Sequence, residues 1–496
     1  MLRIAILAGW AAMMLALHQR VGVAAVPAPI EGRWLDEIAV SSPFTPGEGE
    51  AEEWYGVYRE DRKVGAAHHR RARRPEGFHI EDQAVLKLTM MGAPRLVRTH
   101  LAAETDARLA LRRFDFHLRS ASVDVTLAGE VDASGVDVTM RAAGSERKFR
   151  IPLRAPPVLP QTLPSMLARE ELETGKTFHY PLFDPITAES TDAVLRVGAI
   201  ERLTIDGTRR SAFLVTQEFR GATSRLWVEP GGRVLKEEGP LGLTMIRESR
   251  VRAVAPLDSG GLDVTSTAAI PVKRAIRDAR DLARLELAVA GVPPGRGLSF
   301  PPRQVELGDR LTIRREDLAS AASYPLPADA KRFAADLAPT PFLQSDDPKI
   351  QALAREITGG DRDARRAAGK LMSWVFENLK KVPTVSIPSA LEVLETRRGD
   401  CNEHAVLFAA LARAAGLPAR VIAGTVYMPG IADDPGAFYY HAWVEVWLGE
   451  WIAADPTFGQ LPADATHVKL LEGGPEHHAD LGSWIGRLQF EVRDSG

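Results

Sequence analysis

The only cysteine of the 496-residue chain, Cys401, stands where the sequence predicts the start of a helix. Gly399 permits a sharp turn before it, and Asp400 followed by Glu403 is the pattern of a capping box. Cys401 would then lie in the first helical turn, where backbone N–H groups and the positive end of the helix dipole favour a thiolate. A thiolate in this position can act as a nucleophile, and its backbone N–H can donate to an oxyanion.

A nucleophilic thiol needs a base, and the base needs a group that orients it. Residues 439–447 are rich in Val, Trp and Tyr and predict a strand, which a short turn joins to a returning strand at 451–455. His441 and Asp455 are centred on residue 448, inside that turn. They should therefore lie opposite each other or one register step apart, on the same face of the sheet. The carboxylate can then hold one imidazole nitrogen while the other nitrogen faces the thiol.

Four separate blocks in the last third of the chain resemble the core of bacterial transglutaminase-like proteins, in the order that this family has. The blocks are RRGDC at 397–401, ARAAGLPARV at 412–421, HAWVEV at 441–446 and DPT at 455–457. The resemblance implies that Cys401 is the nucleophile, His441 the general base and Asp455 the orienting carboxylate. It also implies a papain-like α+β fold, in which a cysteine-bearing helix packs on an antiparallel sheet that carries the histidine and the aspartate.

The family includes acyl transferases, proteases and amidases, so the resemblance implies the chemistry more than the substrate. We expect an enzyme that attacks amide bonds of protein, peptide or peptidoglycan-type substrates through a thioester, which then reacts with water or with an amine. The rival hypothesis is a non-catalytic envelope protein for binding or assembly. It would bind through a β-rich N-terminal region and use the C-terminal core as a scaffold.

Several of these residues have alternative interpretations. A free cysteine is often a small buried hydrophobe rather than a nucleophile. His404 lies one helical turn from the cysteine and is a second candidate for the base. The sequence does not assign a second donor to the oxyanion, and Asn378 is one candidate. Three tryptophans either line an acyl-substrate groove or pack the sheet against a helix: Trp443, Trp447 and Trp451.

Composition narrows the function classes. The formal net charge of −3 and a hydrophobic share of 45% are ordinary for a globular protein and argue against a nucleic-acid-binding protein. A single cysteine cannot form an internal disulfide, which is notable for a chain that we expect to be exported. No group of residues stands at metal-ligand spacing, so we expect neither a metal nor a cofactor.

The N-terminus has the pattern of an export signal. Arg3 precedes an apolar run at 4–17, and the small residues Ala24 and Ala25 follow as a cleavage site. We expect a signal peptide at 1–25 and a periplasmic or secreted protein. The alternative is an inner-membrane anchor through residues 4–17, which would be the protein's membrane contact.

The rest of the chain divides by pattern. Strands alternate apolar and polar residues from Trp34 onward, with turn residues between them, and the C-terminal part has helical spacing. The length predicts two or three domains. We expect a β-rich N-terminal region at 33–255, a small connecting β unit at 266–330 and a transglutaminase-like catalytic domain at 345–496. Near 152–164 the N-terminal region has either a break between two subdomains or a crossing loop within one sheet.

Overall fold

The structure, a computed structural model, describes residues 50–496 except 91–92, 121–123, 143–144, 154, 185–188, 258–261, 264–268, 320–322, 383–388, 431–433 and 475–479. The expected signal peptide at 1–25 and the alternative anchor at 4–17 lie outside the described residues. In the described part of the chain, no helix combines the length and the apolar character needed to cross a membrane. The described residues form two compact units, an N-terminal unit within 50–263 and a C-terminal unit within 269–496.

The N-terminal unit is built on one large sheet of the described residues. Its strands are β1 (Ala51–Arg59), β2 (Arg62–Arg74), β3 (Gly77–Met90), β4 (Ala93–Asp106), β5 (Leu111–Arg119), β6 (Asp124–Val131), β7 (Gly135–Ala142), β8 (Ser145–Pro152), β9 (Thr177–Asp184), β10 (Glu189–Ile205), β11 (Thr208–Phe219), β12 (Ala222–Val228), β13 (Val234–Glu238), β14 (Leu243–Glu248) and β15 (Leu262–Asp263). Two short helices accompany them, α1 (Leu163–Leu167) and α2 (Arg250–Ala253).

The sheet is continuous from β8 to β9. Its order runs from β8 down to β1, then from β14 down to β9, and β15 pairs with β3 in parallel. Strands such as β6 bury every second residue, which is the alternation that the sequence predicts. Residues 152–164 therefore lie between the two edge strands of one sheet.

The C-terminal unit contains helices and strands. The helices are α3 (Ala334–Leu337), α4 (Pro348–Thr358), α5 (Ala364–Asn378), α6 (Ala390–Thr396) and α7 (Cys401–Ala414). The strands are β16 (Ile270–Pro271), β17 (Arg284–Ala290), β18 (Gln304–Leu307), β19 (Arg310–Arg314), β20 (Lys380–Lys381), β21 (Arg398–Gly399), β22 (Ala419–Met428), β23 (Ala437–Trp447), β24 (Trp451–Ala454), β25 (Val468–Glu472) and β26 (Gln489–Ser495).

Two sheets organise this unit. The first has the order β16, β23, β22, β25, and β24 pairs with β23 as well. The second has the order β18, β19, β17, β26, so strands from the expected connecting segment at 266–330 pair with the last strand of the chain. That segment is accordingly part of the compact C-terminal unit.

Helix α7 is the centre of the C-terminal core. All its residues from Cys401 to Ala412 are buried, and its apolar side chains pack with those of α4, α5, α6 and the strands β22 and β23. Because residues 405–412 are apolar on every side of the helix, they must be enclosed, and the other elements surround them. The start of this helix is thereby fixed against β23, the strand that carries His441.

Candidate active site

The start of α7 has the geometry that the sequence predicts. The Asp400 side chain accepts a hydrogen bond from the Asn402 backbone N–H at 2.9 Å, and the Asp400 backbone N–H donates to Glu403 Oε2 at 2.8 Å. The capping box is therefore confirmed. Gly399 is required beside it, because a Cβ atom at that position would lie 2.2 Å from the Glu403 Cβ. Cys401 is the first residue of the helix.

The hairpin of β23 and β24 brings His441 and Asp455 together. Its pairs Val444–Ala454 and Trp447–Trp451 are centred on residue 449 rather than 448, so Asp455 does not lie directly opposite His441. Asp455 leaves the strand immediately after Ala454, and its Oδ2 accepts a hydrogen bond from His441 Nε2 at 2.8 Å. Both side chains are fully buried. The predicted contact is present, through a diagonal pair on one face of the sheet.

The Asp455 carboxylate is held from several directions. Oδ1 accepts the backbone N–H groups of Thr457 at 2.7 Å and Phe458 at 3.2 Å. Oδ2 accepts the Nε2–H of His441 and also that of a second histidine, His467, at 3.0 Å. Burial acts to raise the pKa of Asp455, but the two imidazoles outweigh it and hold that pKa well below its ordinary value. The carboxylate is therefore a fixed anion in front of His441.

The thiol and the free imidazole nitrogen lie at the junction of α7 and β23. The Cys401 sulfur accepts a hydrogen bond from the backbone N–H of Ala442, the residue after His441. With its Nε2–H donated to Asp455, His441 keeps a lone pair on Nδ1, which is buried and has no hydrogen-bond partner among the described residues. The structure thus places the cysteine beside the strand that carries His441. Nδ1 of that histidine has a lone pair that can accept a proton.

Burial gives the thiol and the imidazole opposite pKa shifts. It raises the pKa of Cys401 well above its ordinary value, with Asp400 adding to the effect, and it lowers the pKa of His441 despite the adjacent Asp455. The sequence predicted a lowered thiol pKa, and that prediction is wrong for this closed site, because desolvation outweighs the helix start. Only 1% of Cys401 is exposed. The pair is a neutral thiol beside a neutral imidazole.

A second layer of charges behind Asp455 was missed by the sequence analysis. His467 Nδ1 lies 3.2 Å from the backbone oxygen of Asp464 and 3.3 Å from its Oδ1, while Nε2 donates to Asp455. Both ring nitrogens therefore face acceptors, which is the hydrogen-bonding pattern of an imidazolium. Burial acts to lower the pKa of His467, but Asp464 and Asp455 outweigh it and raise that pKa.

Arg280 extends this layer. Its Nη1 lies 3.0 Å from Asp464 Oδ2, and its guanidinium lies over the Phe458 ring at 4.6 Å. Phe458 in turn stacks on His441, with ring centroids 5.2 Å apart. The charges alternate from Arg280 through Asp464 and His467 to Asp455, so the buried anion beside His441 is compensated. The first histidine after the DPT block, at position 467, was the only sequence signal for this arrangement.

The structure shows local contacts for three other candidate residues, His404, Asn378 and Trp443. His404 Nδ1 lies 2.6 Å from the Asp400 backbone oxygen, and burial lowers the pKa of His404 to about 4. The Asn378 amide is exposed and donates to the Trp374 carbonyl at 2.9 Å, within its own helix, which does not support a role as oxyanion donor. Trp443 is fully buried in a cluster with Ile422, Ala453 and Ala463.

One group of the described residues has ligand atoms close enough to hold a metal ion: those of His441, Asp455 and His467 lie within 4.8 Å of one another. The hydrogen bonds from both imidazoles to the carboxylate already account for this arrangement. We assign no metal to it.

Comparison with known proteins relates part of the C-terminal unit to a family. Residues 351–456, which include α7 and the hairpin, match the family model of the transglutaminase-like superfamily. The C-terminal unit carries a transglutaminase-like domain. This confirms the resemblance seen in the four sequence blocks. Arg280, Asp464 and His467 lie outside the matched residues.

Proteins similar to the chain include two curated relatives and several solved structures. A protein-glutamine gamma-glutamyltransferase of Pseudomonas aeruginosa (strain PAO1) is 32% identical over 148 residues, which are 27% of this chain and 22% of that protein. An uncharacterized protein of Mycobacterium leprae (strain TN) is 27% identical over 130 residues, 25% of this chain and 46% of its own length. The periplasmic domain of TgpA from Pseudomonas aeruginosa is 20% identical, with a TM-score of 0.23, over 37% of this chain and 89% of that domain. This chain thus spans less than half of the length of either curated relative.

Proposed function

We propose that this chain is a cysteine-dependent acyl-transfer enzyme that acts on amide bonds of protein, peptide or peptidoglycan-type substrates, with Cys401 as nucleophile, His441 as general base and Asp455 as the orienting carboxylate. The observation that carries the proposal is the buried 2.8 Å contact between His441 Nε2 and Asp455, beside a cysteine whose sulfur accepts the Ala442 N–H. The match of residues 351–456 to the transglutaminase-like model supports the same chemistry. The proposed domain has the papain-like α+β arrangement, with α7 packed on the sheet that carries His441.

The first half-reaction forms a thioester. His441 Nδ1 takes the proton of the Cys401 thiol as the sulfur attacks the carbonyl carbon of the amide. The resulting imidazolium, which Asp455 stabilises, then gives its proton to the leaving nitrogen as the C–N bond breaks. Since the resting pair is neutral, proton removal and attack occur together.

The second half-reaction returns the thiol. Water or an amine attacks the thioester carbonyl, His441 accepts the proton of that nucleophile, and the C–S bond breaks as the sulfur regains a proton. Water gives a hydrolase, and an amine gives a transferase. We also propose export, on the basis of the N-terminal pattern at residues 1–25.

A chromogenic ester tests the thiol chemistry without knowledge of the substrate. Mixing the protein with p-nitrophenyl acetate should release a burst of p-nitrophenol that matches the enzyme concentration, with an acetyl group added to Cys401 in the mass spectrum. Cys401→Ala should give no burst and keep the same circular dichroism and melting temperature. A wild-type burst of zero, or a full burst from Cys401→Ala, would refute the proposal.

Envelope extracts then identify the reaction. Wild type and Cys401→Ala are incubated with the same extract and the products are compared by mass spectrometry. Released ammonia without a new bond indicates deamidation, a new cross-link indicates transfer to an amine, and a new peptide terminus indicates proteolysis.

A second candidate function has one observation in its favour. The thiol is 1% exposed and its pKa is raised by burial, as expected for an inert structural cysteine in a scaffold domain. A binding or assembly protein of this kind would show no burst, and its Cys401→Ala variant would keep full function in the cell.

A further inference from the structure

The N-terminal unit contains a cavity of its own. It lies over one face of the sheet, and residues 160–164 before and within α1 form its opposite wall. Its volume is about 110 Å³. The lining residues come from β1 to β4 and from β11 to β14, and most of them are apolar, including Leu86, Val97, Leu163, Leu226, Val234 and Met245.

Small side chains in register create this space. Tyr55 pairs with Ala67, Ala67 with Ala84, and Ala84 with Thr99, so two alanines occupy the middle of a row that crosses four neighbouring strands. In the next row Gly65 pairs with Leu86. Directly paired residues share a face of the sheet, so the missing side-chain volume is contiguous.

One end of the cavity is acidic. Glu53 pairs with His69, and His69 with Asp82, so these three residues form a row across β1, β2 and β3. His69 Nδ1 lies 3.4 Å from Asp82 Oδ2, and the Tyr55 hydroxyl donates to Glu53 Oε2 at 2.8 Å. Glu237 contributes a further carboxylate to the lining.

Among the described residues, the charged side chains that line this cavity are acidic apart from His69. The described residues that line it include the carboxylates of Glu53, Asp82 and Glu237 but no lysine or arginine. Arg247 Nε lies 3.7 Å from Glu53 Oε1, and Arg71 also interacts electrostatically with Glu53, but neither arginine lines the cavity. A cationic group entering the cavity would therefore be attracted to this end.

Gln161 provides an independent sign of a ligand. It lines the cavity from the opposite wall, only 5% of it is exposed, and its Oε1 is buried without a hydrogen-bond partner among the described residues. Buried acceptors in folded proteins are almost always paired. A hydrogen-bond donor on a bound molecule would give Gln161 Oε1 its partner.

We propose that the cavity binds an aliphatic ammonium group, with its stem against the apolar lining and its N–H donors shared between Gln161 and the acidic row. Size agrees with such a ligand, because a dry cavity of about 150 Å³ takes up benzene, and 110 Å³ accommodates about four to five non-hydrogen atoms. The site belongs to the N-terminal unit alone and does not depend on the thiol.

Isothermal titration calorimetry of the full chain at pH 7.5 tests the proposal with three four-carbon probes: n-butylamine, 1-butanol and butyrate. We expect n-butylamine to bind at least about tenfold more tightly than 1-butanol, and butyrate to give no heat, because the lining carboxylates favour a cation. Nα-acetyl-lysine methylamide, as a fourth probe, distinguishes an ammonium on a peptide from a free amine. Absence of heat from both amines, or equal affinity for the amine and the alcohol, would overturn the proposal.

Variants locate the binding. Ala84→Leu should fill the cavity and abolish amine binding, whereas Ala107→Leu, on an exposed turn of the same unit, should not change it. Glu53→Gln should weaken n-butylamine about tenfold without changing 1-butanol, and Gln161→Met should weaken both. Cys401→Ala should bind as wild type does. If Ala84→Leu fails to fold, Glu53→Gln and Gln161→Met decide the question. Unchanged amine affinity in both variants would exclude this cavity as the site.

Discussion

His467 offers the sharpest test of the active-site geometry. It lies outside the residues that match the family model, yet its Nε2 donates to the same Asp455 oxygen that His441 uses, at 3.0 Å. We predict that His467 is a positioning residue, which fixes the Asp455 carboxylate and sets the basicity of His441 without touching the substrate. His467→Ala removes the hydrogen bond and the charge, and His467→Gln keeps a donor but removes the charge.

The magnitude follows from the contact that is lost. A hydrogen bond to a charged group contributes about 1.5 to 3 kcal/mol, and each 1.36 kcal/mol of transition-state stabilisation is about tenfold in rate. His467→Ala should therefore slow acylation by about tenfold to a hundredfold. His467→Gln should lie at or below the lower end of that range, because an amide N–H can still reach Asp455 Oδ2.

The pH profile separates positioning from mere structural support. The His467 charge lowers the pKa of His441, and its hydrogen bond draws electron density from Asp455. His467→Ala loses both effects, and His467→Gln loses the effect of the charge. The pKa of His441 should then rise. Because acylation requires neutral His441, the acid limb of the rate profile should move to higher pH in both variants.

The assay is the p-nitrophenol burst rate from pH 5 to pH 9. His117→Gln is the matched control, since it removes an imidazole 2.6 Å from Asp124 in the N-terminal unit and should leave the burst unchanged. Thermal unfolding confirms that each variant is folded. A folded His467→Ala protein with the wild-type burst rate and an unmoved acid limb would refute the reasoning.

Three further predictions concern the C-terminal unit. Gly399→Ala should lower the free energy of unfolding, measured in urea, by several kcal/mol and remove the burst, because its Cβ would lie 2.2 Å from Glu403. Gly369→Ala, which has open space inside α5, should be neutral or stabilising by about 0.5 to 1 kcal/mol. Equal effects of the two changes would contradict this prediction. Because the pKa of His467 is raised in the fold, its protonation stabilises the fold fully below the unfolded pKa of about 6.5, and this contribution is lost as the pH rises through the higher folded value. The difference in unfolding free energy between wild type and His467→Gln should therefore be larger at pH 6 than at pH 9. A difference independent of pH would show that His467 is not charged in the fold. His441→Ala should slow iodoacetamide labelling of Cys401 by about tenfold or more at pH 8, because the thiol keeps its proton when no base is adjacent. Mass spectrometry measures the labelling rate. An unchanged rate would place the imidazole out of reach of the sulfur.

Local sequence patterns predicted the elements that carry the candidate site. Gly399, Asp400 and Glu403 specified the start of α7, since a capping box is made by residues three positions apart. Ser389 caps α6 by the same local mechanism, since its side chain accepts the Glu392 N–H three residues later. The turn between β23 and β24 brought His441 near Asp455, although the register is centred one residue later than predicted.

Long-range packing decided what local patterns could not. His467 follows β24 by more than a dozen residues, in a segment without periodicity, and Arg280 comes from the other side of the family-matched region. These groups meet only because β25 pairs with β22, and because the segment before β17 is part of the same compact unit. The direction of the Cys401 pKa also depended on the enclosure of α7, which no local motif encodes.

The sequence by itself determined the chemical types in the candidate site and the two short-range devices that present them, a capped helix start and a hairpin. Only the tertiary structure decided how deeply the thiol is buried, which charges compensate Asp455, and where a row of alanines in the N-terminal sheet leaves a cavity. The physical reason is range: hydrogen bonds within a turn act between residues a few positions apart, whereas desolvation and buried electrostatics depend on every element that folds around a site.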